Sequence, residues 1–432
     1  VSTELGTVPV IPVKSRLTGQ QIGGFFAAWT GWLLDGMDSV IYALVLSPAM
    51  VELLPKSGIK VSVGNVGLAG SALFALFLVG WGLSFLWGPL ADRFGRAKAL
   101  MFTILVYSVF TFASGLAQNI WELALFRMLA GIGIGGEWSM AGTYVAEAWP
   151  EDRRKMGAGY LQTGYYFGFF VAAALNYTVG ARYGWRAMFF LGLIPALVSF
   201  WVLFGVREPE RWKHTAAKAA GRARLAVILD RKYRRRTIVN SALLTVAIIG
   251  LWAGSVYEPT AVTMISQRSG LSAVASVHMV SYATGLLSIG TILGCVLLPV
   301  LAERAGRRTA LAVYFLIMLL AIILSFGWAF YLPGGLSVFM VILFFLGLGG
   351  GNFAAFSLWL PEQYETGVRA TAFAFCTSVG RFIGAAATFA IGALVKAMGT
   401  LGTPVAWTSV AFLIGLLIIP LAVETRGTVL PE

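Results

Sequence analysis

The stretch WTGWLLDGMDSVIYALVL, Trp29 to Leu46, is long and apolar enough to lie in a bilayer, yet it carries two acids, Asp35 and Asp38. Three residues apart on a helix, they share roughly one face. An acid at the centre of a membrane helix costs on the order of 3 kcal/mol by insertion scales. The pair is therefore expected to face a wet cavity and act there. The bland alternative is a polar pair that snorkels or caps a helix break.

The rest of the chain has the same character. Of 432 residues, 58% are hydrophobic and 12% charged, and the mean hydropathy is +0.80. A soluble domain cannot bury that share of apolar surface, and runs of about 20 apolar residues imply membrane helices rather than a barrel. No cleavable signal peptide is recognisable at Val1. Cys295 and Cys376 sit inside apolar runs, which argues against a disulfide framework, and no spacing suits a metal or cofactor.

Twelve spans are expected, at about 20–48, 67–90, 99–117, 121–147, 157–179, 186–205, 237–263, 275–302, 309–327, 335–360, 369–395 and 404–423. The fold class is an all-α integral membrane protein of two six-helix halves. Residues 1–206 form the first bundle and 237–432 the second, with a basic segment, 207–236, between them. Arginine and lysine fill that segment and the loops after spans two, four, eight and ten, whereas the alternate loops are poorer. The positive-inside rule then places both termini and the long segment in the cytoplasm of a cell (inner) membrane. The net charge of +13 is thus a topology signal, and nucleic acid is not an expected partner.

The two halves repeat. Gly88-Pro-Leu-Ala-Asp92-Arg93-Phe-Gly95-Arg96 after span two returns as Pro299-Val-Leu-Ala-Glu303-Arg304-Ala-Gly306-Arg307 after span eight. Glu147 with Arg154 after span four returns as Glu362 with Arg369 after span ten. A parallel duplication of six helices suits a transporter whose substrate lies where the halves meet. The glycine permits a short turn, an acid suits a neighbouring helix N-terminus, and arginines suit C-terminal carbonyls. Asp92, Arg93, Arg96, Glu147, Arg154, Glu303, Arg304, Glu362 and Arg369 are therefore candidates to latch one state of a rocking pair.

GPLADRFGRAK resembles the signature loop of the major facilitator superfamily, and the second copy fits the same pattern. Arg127-Met-Leu-Ala-Gly131-Ile-Gly133-Ile-Gly135-Gly136, Val206-Arg-Glu-Pro-Glu-Arg-Trp212 and Val423-Glu-Thr-Arg-Gly427 are similar to the sugar-porter and organic-ion-transporter branch. The resemblance covers essentially the whole chain. It implies a secondary transporter that is not an enzyme.

At 1.5 Å per residue, Asp38 lies about 27 Å and Arg127 about 30 Å from the cytoplasmic ends of their spans, Asp35 about 22 Å, Glu137 about 15 Å and Arg381 about 18 Å. Asp38 and Arg127 match residue types of proton-coupled sugar porters, which implies a proton-carrying carboxylate and the arginine that tunes it. The alternative is a static ion pair. Asp35-Gly36-Met37-Asp38 and Gly136-Glu137-Trp138 resemble instead the aromatic-acid and sialate proton symporters, so Asp35, Asp38 and Glu137 all stand as proton sites.

Arg381, near midplane, needs a counter-charge or a ligand, and its fork grips carboxylates bidentately. Organic-anion members of the superfamily resemble this chain in carrying an arginine there. Arg381 is expected on the substrate's carboxylate, or else paired with Asp35 or Glu137. Tyr42, Trp138, Gln162, Tyr166, Tyr257 and Asn352 complete the expected substrate site, with Tyr165 and Trp252 as further aromatic candidates. Each aromatic is equally an ordinary packing residue. His278 is a titratable group in span eight, and Glu258 is expected near the solvated outer mouth. The reading is a monomeric proton symporter of a small organic carboxylate. A sugar or polyol facilitator or symporter is the alternative, and a non-transporting membrane sensor the third. The expected partners are that anion, protons and the lipid bilayer.

Overall fold

The computed structural model describes residues 16–83, 85, 87, 96–135, 138, 141, 145, 149–197, 227–428 and 431. Helix α1 spans Gly19–Lys56, α2 Val63–Leu83, α3 Arg96–Ser114, α4 Ile120–Ile134, α5 Glu151–Leu175 and α6 Trp185–Phe190. After the basic segment come α7 (Arg234–Ser255), α8 (Glu258–Arg268), α9 (Ala273–Ala305), α10 (Arg307–Ile322), α11 (Leu336–Gly350), α12 (Phe353–Trp359), α13 (Thr366–Met398), α14 (Gly402–Ala406) and α15 (Ser409–Ile418).

Seven of the described helices are long and apolar enough to cross a membrane, and Met101–Ser114 and Trp185–Leu197 are shorter apolar helices. Of the other expected spans, 121–147 and 186–205 are described only in part. Helix α4 runs to Ile134, and the described residues Trp138, Ala141 and Val145 are helical too. Helix α5 opens on the charged run EDRRK. The expected span 237–263 is broken at Val256-Tyr257, so that α7 and α8 are separate helices. Large apolar side chains such as Trp121, Val410, Leu413 and Leu417 remain exposed on the outside, as lipid-facing residues do.

Within the first set of helices, α1 packs on α5 and α2 on α4. Within the second, α9 packs on α11 and α7 on α13. Two antiparallel contacts join the sets. Gly64, Gly67 and Ser71 of α2 meet Lys396, Val395 and Gly392 of α13, and Gly159 of α5 meets Cys295 and Pro299 of α9. Gly36, between the two acids, has a structural task. A Cβ there would stand 2.0 Å from the carbonyl oxygen of Tyr165, so only glycine lets α1 lie backbone to backbone on α5.

At the end carrying the second-half signature loop, Glu362 is the hub. Arg307 grips it with Nε at 3.1 Å and Nη2 at 2.9 Å. The Thr425 hydroxyl donates to it at 2.5 Å, and Arg154 approaches to 4.0 Å. Arg307 also meets Glu303 at 2.6 Å, and Lys155 bridges the two helix sets to Glu303 at 2.9 Å. Arg369 donates to the carbonyls of Pro361 and Pro431. Arg304 is exposed, and the contacts expected of it are made by Arg307, one turn on, because the helix break at Gly306 turns Arg307 inward. Asp92, Arg93, Glu147 and the Arg96 side chain lie outside the described residues.

The VETRG motif also has a mechanical role. Glu424 accepts from the backbone N–H groups of Arg307 and Arg308, the first two residues of α10, at 3.0 and 3.1 Å. A residue far along the chain thereby caps a helix whose own N-cap is Gly306. Partial burial pushes the Glu424 carboxyl up, but the N–H donors of Arg307, Arg308, Arg426 and Thr425 outweigh burial and hold it below the ordinary carboxylate range.

A depressed folded-state value means stabilisation that is present above the unfolded value and lost as the pH falls through the folded one. Glu424→Gln should therefore cost about 1 kcal/mol at neutral pH and little in acid, read as thermal stability in detergent against pH. Gly36→Ala should force α1 off α5 at about 1–3 kcal/mol or more, seen as lost monodisperse protein by size-exclusion chromatography.

Candidate functional site

Between the two helix sets lies a narrow pocket with a cavity volume of about 20 Å³. It is lined by Trp32, Trp81, Trp138, Gln162, Tyr165, Tyr166, Ile248, Leu251, Trp252, Phe353 and Arg381. Seven of these eleven residues are aromatic, so the wall is apolar with few hydrogen-bonding groups. Trp32 stacks on Trp138 at 5.8 Å with 9° between the planes, and lies 4.6 Å from Tyr165. Trp81 stands 5.9 Å from Trp252, edge to face.

The lining also ties the two sets together. The Trp138 indole donates to Ser357 at 3.1 Å, and Ser357 donates to Gln162 at 3.4 Å. The Tyr166 hydroxyl donates to the Gly350 carbonyl. The helix sets also meet at both ends beyond the pocket. Lys155–Glu303 and Arg154–Glu362 join them at one. At the other, Asn176 donates to Ser281, and Tyr177 stacks on His278 at 4.1 Å.

Arg381 of α13 is the one cation of the lining. Its guanidinium lies over the Trp81 ring at 4.3 Å and faces Trp138 at 6.0 Å. Among the described residues no carboxylate comes within 4.0 Å of it. Asp35, fully buried on α1, lies within electrostatic reach of both Arg381 and Tyr165. Among the described residues only ring faces touch the guanidinium, with Asp35 farther off, so its fork is available to a ligand.

Asp38 and Arg127 are brought together, at 3.9 Å with both side chains 0% exposed. The guanidinium makes no hydrogen bond, and rests over Phe77 at 4.4 Å, Tyr42 at 5.1 Å and Phe189 at 5.9 Å. The rings attract the cation whatever the charge on Asp38. Loss of that charge would therefore not strand the arginine.

Of the seven residues expected around substrate, Arg381, Trp138, Gln162 and Tyr166 line the cavity and three stand elsewhere. Tyr42 stacks on Phe74 and donates to the Gly70 carbonyl beside Arg127. Tyr257 meets Ser71 of α2 at 3.0 Å and donates to the Thr388 carbonyl of α13, pinning the two helix sets. Asn352 donates to Gly349 in the turn between α11 and α12. Glu137 lies outside the described residues. Trp32, Trp81, Ile248, Leu251 and Phe353 were not singled out from sequence. Trp32 was findable, since it stands three residues before Asp35 on one helix face. Glu258 corrects an expectation, for it is buried rather than solvated.

Comparison with known proteins bears on this architecture. The chain is 30% identical over 413 residues to a probable 4-methylmuconolactone transporter of Cupriavidus pinatubonensis, covering 94% of this chain and 92% of that protein. It is 26% identical over 385 residues to the cis,cis-muconate transport protein of Acinetobacter baylyi, covering 88% of each. It is 26% identical over 453 residues to the niacin transporter NiaP of the same organism, covering 96% of this chain and 98% of that one. The E. coli xylose transporter XylE, solved in a partially occluded inward open conformation, matches with a TM-score of 0.74 at 20% identity over 96% of this chain and all of that chain, a likeness of fold alone. The family model of the Major Facilitator Superfamily matches residues 22–388, and the chain belongs to that superfamily.

Proposed function

We propose that the chain is a proton-coupled symporter of a small organic acid with an aromatic or unsaturated body, working by alternating access. The observation that carries this is Arg381, a single guanidinium between tryptophan faces in a narrow, aromatic-lined pocket between the helix sets. The fork takes the carboxylate and the rings take the body. Relatives whose names refer to a muconolactone, a muconate and niacin support the same class. A sugar would bring a ring of hydroxyls to a wall that has few partners for them, which weighs against the sugar-porter reading.

Charge balance supplies the coupling. With the site empty, Arg381 has Asp35 within reach. When substrate brings its own negative charge, a proton on Asp35 keeps the cavity neutral. Both states that reorient are then uncharged, whereas a substrate-loaded site without the proton carries a net charge into a dry interior. Asp38 with Arg127 is the second proton site in this scheme, and Glu137 the third candidate. The Glu362, Arg307, Glu303 and Lys155 network latches the closed state at the cytoplasmic rim. The chain has twelve spans in two halves, 1–206 and 237–432. It acts as a monomer in the cell membrane with both termini cytoplasmic.

Uptake into proteoliposomes tests the reading. An inward proton gradient should concentrate aromatic or unsaturated carboxylates, and collapsing it with an ionophore should leave only equilibration. Sugar uptake indifferent to pH would overturn the reading.

Arg381→Ala should weaken carboxylate affinity by about 1.5–3 kcal/mol, roughly ten- to a hundredfold. Arg381→Lys should recover only part, because it keeps charge but not the fork. Asp35→Asn and Asp38→Asn should abolish concentrative uptake while sparing exchange of substrate across the membrane. Full concentrative uptake in both variants would move proton carriage to another acid.

A further inference from the structure

Glu258 is a buried acid that the cavity does not use. It is the first residue of α8, directly after the break at Val256-Tyr257, and is 1% exposed. Its Oε2 accepts from the Thr284 hydroxyl of α9 at 3.0 Å, and its Oε1 has no hydrogen-bond partner among the described residues.

Helices α1, α7, α9 and α11 pack against α8. Their titratable groups are Asp35, Asp38, Tyr42, Glu52 and Lys56 on α1, Arg234, Arg235 and Arg236 on α7, and His278, Tyr282, Glu303, Arg304 and Cys295 on α9, with none on α11. On α8 itself, Arg268 at the far end donates to the Phe330 carbonyl. Among the described residues no cation lies within 4.0 Å of Glu258. One neutral hydroxyl does not offset the cost of a bare carboxylate in such a place, whereas a neutral carboxyl fits it.

The location ties this chemistry to the contact between the helix sets. The neighbouring Tyr257 holds α8 against Ser71 of α2 and Thr388 of α13. A swing of α8 that parts Tyr257 from Ser71 also admits water to Glu258. We propose that Glu258 is a further proton-binding carboxyl, loaded when α8 is held against α2 and α13 and unloaded when α8 parts from them. Closure of this end then takes up a proton of its own, apart from Asp35 and Asp38. A metal cation is the poorer occupant, since hard cations need a cage of several oxygens.

Infrared spectroscopy of the whole chain in lipid vesicles reads the carboxyl itself and not transport, so the outcome is independent of the symport proposal. Near neutral pH the protein should show a protonated-carboxyl C=O stretch that Glu258→Gln lacks and that Asp35→Asn and Asp38→Asn keep. Thr284→Val removes the donor that favours the ionised form, so its band should persist to more alkaline pH than in the parent. Tyr257→Phe loosens closure and should lose the band at lower pH, by roughly half to one unit. A band unchanged in Glu258→Gln, or one abolished by sodium at constant ionic strength, would overturn the site. A Tyr257→Phe titration identical to the parent would overturn its link to closure.

Discussion

A guanidinium stays charged at any working pH, so an arginine taken out of water must bring its compensation with it. Arg127, Arg307 and Arg369 are among the largest fully buried side chains of this protein, and Arg381 is nearly as buried. Each is compensated differently. Arg307 has two carboxylates and a carbonyl. Arg369 has backbone carbonyls. Arg127 has one acid at a loose 3.9 Å and three ring faces, and Arg381 has rings. From rim to cavity, the compensation passes from fixed hydrogen bonds to diffuse attraction. Fixed bonds hold a geometry, while diffuse attraction leaves room for a ligand or for a change of charge nearby.

The two meeting places of the helix sets beyond the pocket differ in the same sense. One is built of ion pairs, Lys155–Glu303 and Arg154–Glu362. The other is built of neutral contacts, Asn176–Ser281, Tyr177–His278 and Tyr257–Ser71. The partly exposed Lys155–Glu303 pair responds to salt and to charged neighbours, while rings and hydroxyls respond to packing. The two ends therefore answer to different physical variables.

The sequence made the rare charges legible and left the apolar lining largely silent. Counting helical rise was enough to match Asp38 with Arg127, and the cost of a midplane charge was enough to single out Arg381. Trp81 and Phe353 sit on helices that are apolar nearly all round, and Ile248 in the apolar second half of α7, where periodicity cannot tell a cavity face from a lipid face. Tyr257 and Glu258 were misplaced because the expected span runs straight through Pro259, whose missing N–H and ring end α7 at Ser255 and start α8 anew. Arg304 and Arg307 show the same limit. The motif brought both to the rim, but only the turn at Gly306 decided which one faces inward.

The tie from Glu424 to the start of α10 has a bearing on how the protein is made. A ribosome releases α9 and α10 long before residue 424, so the first N–H groups of α10 have no cap while α11 to α15 are still to come. Thr425 reaches Glu362 and Pro431 reaches Arg369 from the same late segment. Until those residues arrive, the second set of helices is inserted but not fastened. The stretch from Glu424 to Pro431 works as a clasp, and the charged rim is completed only after the helices that it fastens have been made.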